Sequence, residues 1–191
     1  MSRRDHILES AARVVAQRGI RGLRVEELAE AAGVSTSLIY YHFRDRAGLL
    51  SQTVDFISNR AERYTEPSID AVGDPLGHLE EVLLLELQDT PLIVENSTAW
   101  GESRATAVFQ PELRDQLRAA TARWNDYLSE VIRGAQRAGR VPSVVSPEDA
   151  AERLTVLVEG LSMRWLSGSM DLDRAHALLR GAIPLELGIG S

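Results

Sequence analysis

An all-α chain is predicted by three features of this 191-residue sequence. Apolar residues recur at three- and four-residue spacing, cap-and-proline pairs punctuate the chain, and no stretch alternates with the period of two that a strand requires. The organisation expected is an N-terminal three-helix domain over residues 1–46, a connector helix over 47–64 and a larger helical bundle over 65–191.

Ser2 and Asp5 form a capping box, after which Ile7, Leu8, Ala11, Ala12 and Val15 make one apolar stripe that ends at Arg18-Gly19. A second, shorter helix follows from Val25 through Leu28, Ala29 and Ala32, and Gly33 stops it because glycine enters the left-handed region without a Cβ penalty. Val34 fills the inside of the turn, and Ser35 is placed to cap a third helix with Leu38, Ile39 and Phe43 in the core. Two short helices hinged at a glycine are a helix-turn-helix. Thr36 and Ser37 stand on the exposed first turn of its second helix, the part of such a unit that enters a major groove.

From Asp45 a helix with Leu50, Val54, Ile57 and Ala61 runs to about Tyr64, and the stretch from Thr65 to Asp74, with Pro67 and Gly73, reads as a linker. Asp74-Pro75 and Thr90-Pro91 are cap-and-proline starts, the first leading into a helix that is apolar almost all round. Pro111 opens the longest helix, which closes near Gly139. Ser146-Pro147-Glu148-Asp149 starts another that runs to about Gly168, and Asp171 caps a last helix disturbed near Pro184.

The run GVSTSLIYYHFRDR from Gly33 to Arg46, followed by a leucine pair, resembles the signature of the TetR family of bacterial transcriptional repressors. The resemblance implies base or groove contacts by Thr36, Ser37 and Tyr40, and phosphate contacts by Tyr41, His42 and Arg46. It further implies a dimer on an operator of double-stranded DNA and a small-molecule effector. Arg24 departs from the pattern, since a Ser or Thr cap usually precedes the second helix, and no capping role is carried over to it.

Charge is distributed in keeping with such a partner. The net charge is −7, yet residues 1–63 hold ten Arg against eight acids, +2, while residues 64–191 hold eleven Arg against twenty, −9. There is no cysteine, which excludes a disulfide framework and a thiolate metal site, and His6, His42, His78 and His176 follow no ligand spacing. No phosphate-cradling glycine loop, nucleophile elbow or H-E-x-x-H is present, so no enzyme, cofactor or metal is expected. Neither a signal peptide nor a membrane span is expected, and the cytoplasm is the expected compartment.

In the bundle, Phe109, Trp100, Trp124, Tyr127 and Trp165 are interleaved with Asn96, Arg104, Glu95 and Glu159, a mixture that suits a small-molecule pocket. Asn96, Trp100, Trp124 and Tyr127 are the candidates for ligand contact. Leu154, Leu157, Val158, Leu161 and Trp165, with Ala175, Leu178, Leu179 and Ala182 on the last helix, offer more apolar face than one neighbour needs, and the resemblance makes this pair a homodimer interface. The connector is the one element expected to carry a shift of the bundle to the reading helices. The function expected is a ligand-responsive transcriptional regulator that acts as a repressor, with a small-molecule binding or interaction protein of vestigial DNA binding as the alternative.

Overall fold

The computed structural model describes residues 2–64 and 73–189; the expected linker therefore lies largely outside the described residues. Among the described residues there are helices and no strand. They are α1 (Arg3–Arg18), α2 (Val25–Ala31), α3 (Thr36–Phe43), α4 (Arg46–Tyr64), α5 (Pro75–Leu85), α6 (Pro91–Ala107), α7 (Arg114–Arg137), α8 (Pro147–Leu166) and α9 (Leu172–Glu186). Short 3₁₀ turns cover Ile20–Gly22 and Pro111–Leu113, so Pro111 starts a turn and the longest helix begins three residues later than expected.

The helix starts are built by short polar side chains close in sequence to the amides they satisfy. Ser2 Oγ accepts the Asp5 N–H at 3.1 Å and the Asp5 carboxylate accepts the Ser2 N–H at 3.2 Å. Ser35, Asp74, Ser146 and Asp171 accept amides three residues on, at 2.9–3.2 Å, at the starts of α3, α5, α8 and α9. The start of α2 has no side-chain cap; Arg24 instead lies 3.7 Å from Glu27. Pro184 does not end α9, which continues to Glu186 and closes through the Leu187 N–H to Ile183 O at 3.1 Å.

Two compact units result, Met1–Ala61 with Val94–Ala120 and Glu62–Ile93 with Thr121–Ser191. The expected division at residues 46 and 64 is not where packing divides the chain, because most of α6 and the start of α7 join the N-terminal helices. The core of the first unit combines Ile7, Ala11, Val15, Leu28, Ile39, Phe43, Leu49 and Ile57 with Ala99, Ala107, Leu113 and Leu117. That of the second combines Leu79, Val82, Leu83, Leu128, Ile132, Leu154, Leu161, Leu179 and Ile183. Each leucine-sized side chain fully buried in such a core stabilises by about 1.5–3 kcal/mol relative to exposure.

Candidate nucleic-acid interface and effector site

The reading helix is held from beneath and capped at its start. Gly33 has φ +61°, Val34 N–H donates to Ala29 O at 2.9 Å, and Ser35 Oγ accepts the Leu38 N–H at 3.2 Å. Ile39 and Phe43 are each 1 % exposed and anchor α3 in the core, whereas Leu38, expected there too, is only partly buried. The opposite face is open. Ser37, Tyr40, Tyr41 and Arg44 are exposed, Tyr41 to 81 %, with Thr36 and His42 partly covered. The His42 ring stands between those of Tyr41 and Phe43, at centroid distances of 5.3 and 6.0 Å.

The two arginines after α3 have different surroundings. Arg46 is partly buried, and its guanidinium donates to Ile20 O at 2.9 Å and Leu23 O at 3.4 Å, so much of its bonding capacity is used within the protein. Arg44 makes no side-chain hydrogen bond or ion pair among the described residues. It has φ +68° and ψ −59°, and the Asp45 N–H reaches back across it to Phe43 O at 2.8 Å. This is a γ-turn at a residue with a Cβ, a conformation that costs about 1–3 kcal/mol and concentrates at functional sites. Arg44 is exposed and stands immediately after α3, four residues beyond Tyr40 and three beyond Tyr41. Sequence reasoning missed it, and the signal that could have found it is this spacing.

The four expected ligand residues divide between the units. In the first, Asn96 is 2 % exposed and accepts the Arg60 Nε–H at 2.7 Å, and the Trp100 ring lies 5.2 Å from the Arg104 guanidinium carbon. In the second, Trp124 and Tyr127 are neighbours with ring centroids 6.0 Å apart, and the Tyr127 hydroxyl lies 2.8 Å from His78 Nε2. Phe109, considered as a pocket wall, is instead 73 % exposed. An open groove of about 490 Å³ in the second unit is lined by Leu84, Leu85, Glu80, Glu81 and His176 among others, and Trp124 and Tyr127 are not part of it. Sequence reasoning also missed Glu86. Burial pushes its carboxyl up to about 7, the Tyr64 hydroxyl at 3.3 Å offsets part of that effect, and the nearby charge of Glu159 adds to it.

The expected dimer residues divide by burial within the single chain. Leu154, Ala175 and Leu179 are fully buried inside one chain, and Val158 and Leu161 nearly so, because α8 and α9 pack on each other and α9 also on α5. Leu157, Trp165, Leu178 and Ala182 are partly buried. Apolar spacing identified the face that closes the chain's own core. The outer face of this pair carries Val156, 62 % exposed, with Met163 and Leu185, and the exposed Gly160 and Gly181.

Comparison with known proteins bears on these arrangements. Residues 7–53 match the family model described as bacterial regulatory proteins, tetR family, and residues 75–188 the one described as BetI-type transcriptional repressor, C-terminal. A solved TetR-family transcriptional regulator from Rhodococcus sp. is 44 % identical, covers 97 % of this chain and 98 % of its own, and superposes with a TM-score of 0.91. A transcriptional regulator from Saccharomonospora viridis, solved in complex with choline, is 26 % identical over 94 % of each chain with a TM-score of 0.78. The regulator AcrR of Shigella flexneri is 28 % identical over 181 residues, 89 % of this chain and 81 % of its own. Family models that match both halves and a capped reading helix with an open polar face lead to one conclusion: this chain belongs to the TetR family of bacterial transcriptional regulators.

Proposed function

We propose that this protein is a cytoplasmic repressor that binds a near-palindromic operator as a homodimer and leaves it when a small molecule binds. The observation that carries the reading is the exposed face of α3, where Ser37, Tyr40, Tyr41 and Arg44 stand free over a base of buried Ile39 and Phe43. Ser37, Thr36 and Tyr40 are suited to base edges, and Tyr41, His42 and Arg44 to phosphates. Arg46 supports them by holding the start of α4 to the carbonyls of Ile20 and Leu23. Two copies meet on the outer face of α8 and α9, where Val156, Met163 and Leu185 supply apolar surface and Gly160 and Gly181 permit close approach. No helix among the described residues is long and apolar enough to cross a membrane, which is compatible with the compartment proposed.

The effector is a neutral or cationic small molecule received within the second unit by residues that include Trp124 and Tyr127. Glu86 supports this charge preference, because a carboxyl pushed up to about 7 by burial regains its charge at little cost when a cation arrives beside it. The choline complex of the Saccharomonospora viridis regulator gives the same lean. A hundredfold release of operator requires the effector to prefer the non-binding form by about 2.7 kcal/mol, within the ordinary allosteric range. The test is selection of binding duplexes from a random pool, with sedimentation of the free protein. The expected outcome is a palindrome with half-sites about 34–36 Å apart, or a multiple of that, and a dimer of about twice the chain mass. Enrichment of no palindrome by a monomeric protein would overturn the reading.

A further inference from the structure

We infer that Glu102 is a positioning residue for DNA binding, through which α6 sets the placement of the helix-turn-helix. This rests on the reading of α3 as the DNA-contacting helix. It goes beyond that reading by naming a second route to α3, beside the connector α4.

Glu102 stands on α6, and its Oε1 accepts two hydrogen bonds, from the Ile20 N–H at 3.1 Å and from the Thr106 hydroxyl at 3.2 Å. Ile20 is 1 % exposed and opens the 3₁₀ turn that joins α1 to α2. An amide at the first position of such a turn has no partner inside the turn, so it must find an acceptor elsewhere. Among the described residues its acceptor is this carboxylate, supplied from 82 residues away. On its other side the same residue is gripped by α4, since Ile20 O accepts from the Arg46 guanidinium at 2.9 Å and Leu23 O from the same group at 3.4 Å. One short turn is thus held by a carboxylate on α6 and by a guanidinium on the first residue of α4, three residues after the end of α3.

The carboxylate also comes close to the neighbouring glycine, whose positive φ is one that residues with a Cβ rarely adopt. Gly19 has φ +72°, and a Cβ placed on it would lie 2.8 Å from Glu102 Oε1, so a side chain there would push the carboxylate away. Apolar packing surrounds the bond. Ala99 and Ala107 of α6 belong to the same buried cluster as Ile20, Leu23 and Val25. Since a helix advances about 1.5 Å per residue, a slide of α6 by even one residue's rise takes a 3.1 Å hydrogen bond beyond its working range. The turn must then follow α6 or lose its acceptor. Coupling of this kind is reciprocal, so a duplex that fixes α3 must also be felt at α6.

The test needs no effector. Backbone hydrogen exchange is followed in α6, with and without duplexes that the wild-type protein enriches from a random pool. In the wild type, duplex binding slows exchange across residues 98–107, by roughly fivefold or more. Glu102→Gln keeps an oxygen acceptor on a side chain of the same length and retains that response. Glu102→Asp, too short to reach Ile20, loses it, as does Glu102→Ala, and both variants also melt at lower temperature because the buried Ile20 amide is left without its acceptor. A merely structural carboxylate would lower the melting temperature and leave the duplex-induced protection of α6 unchanged. Protection that survives in Glu102→Asp, or that is lost equally in Glu102→Gln, overturns the positioning role while leaving DNA binding intact. A wild-type protein that enriches no duplex overturns the DNA-contacting reading and the role built on it.

Discussion

In the first unit the buried charge of Arg60, 6 % exposed, is met by Asn96 at 2.7 Å and Glu95 at 2.8 Å, and Glu95 is also approached by Arg13 at 3.6 Å. In the second, Glu86 is covered beside Tyr64, and the charge that acts on it is another acid, Glu159. A cation clasped by neighbours on other helices favours one arrangement of α1, α4 and α6, because any other leaves a charge buried without a partner. A carboxyl that escapes its charge by holding a proton imposes no such demand. It can accept a change in its surroundings for the free energy of one proton. The unit that carries the reading helix is therefore built for a single geometry, and the other retains a group whose state can change.

Removing the paired charge should have the largest effect. Arg60→Ala removes the guanidinium that Glu95 and Asn96 bind at 2.8 and 2.7 Å, and we expect a loss of about 3 kcal/mol in denaturant unfolding. A loss below about 1 kcal/mol would rank the pair with ordinary surface ion pairs and erase the contrast between the units.

The next effect depends on pH. The folded protein holds a proton on Glu86 up to about 7 against 4.5 for an ordinary glutamate, so the folded state binds more protons between these values. Stability from this group is complete below 4.5 and is lost as pH rises through about 7. Glu86→Gln imitates the protonated form and should be the more stable protein at pH 8 by about 2 kcal/mol, a figure reduced from the full shift because part of the residue remains accessible. The advantage should vanish toward pH 4.5 in paired thermal melts. An advantage that is constant with pH would mean that Glu86 is charged in both states.

Much of the fold was legible in the sequence because its signals are local. The caps of Ser2, Ser35, Asp74, Ser146 and Asp171 act over three residues, and the glycine hinge at Gly33 is written in one. The starts of α8 and α9 followed from the same signals. Apolar spacing, in contrast, says that a face is covered and not by what, so Leu154 and Leu179 were assigned to a second copy although their own chain buries them. The exposed face of the candidate reading helix was legible because it lies on one helix, from Thr36 to His42. Contacts were not legible where a guanidinium turns back to carbonyls more than twenty residues earlier, as at Arg46, or where a carboxylate bridges 82 residues, as at Glu102. The sequence also gives no sign that most of α6 packs with the N-terminal helices, since its apolar residues would suit either core.

The smallest of these effects concerns a single phosphate contact, yet it bears most directly on the claim that α3 and the turn after it read DNA. Binding of an enriched duplex is measured across a range of salt concentrations for the wild type, Arg44→Ala and Arg46→Ala. Arg44→Ala should weaken binding about tenfold on every sequence and lower the slope of log K against log salt by about 0.9 for each subunit, with no loss of thermal stability. Arg46→Ala should cost thermal stability as well, because Ile20 O and Leu23 O lose their donor. An unchanged affinity and salt slope in Arg44→Ala would contradict the account.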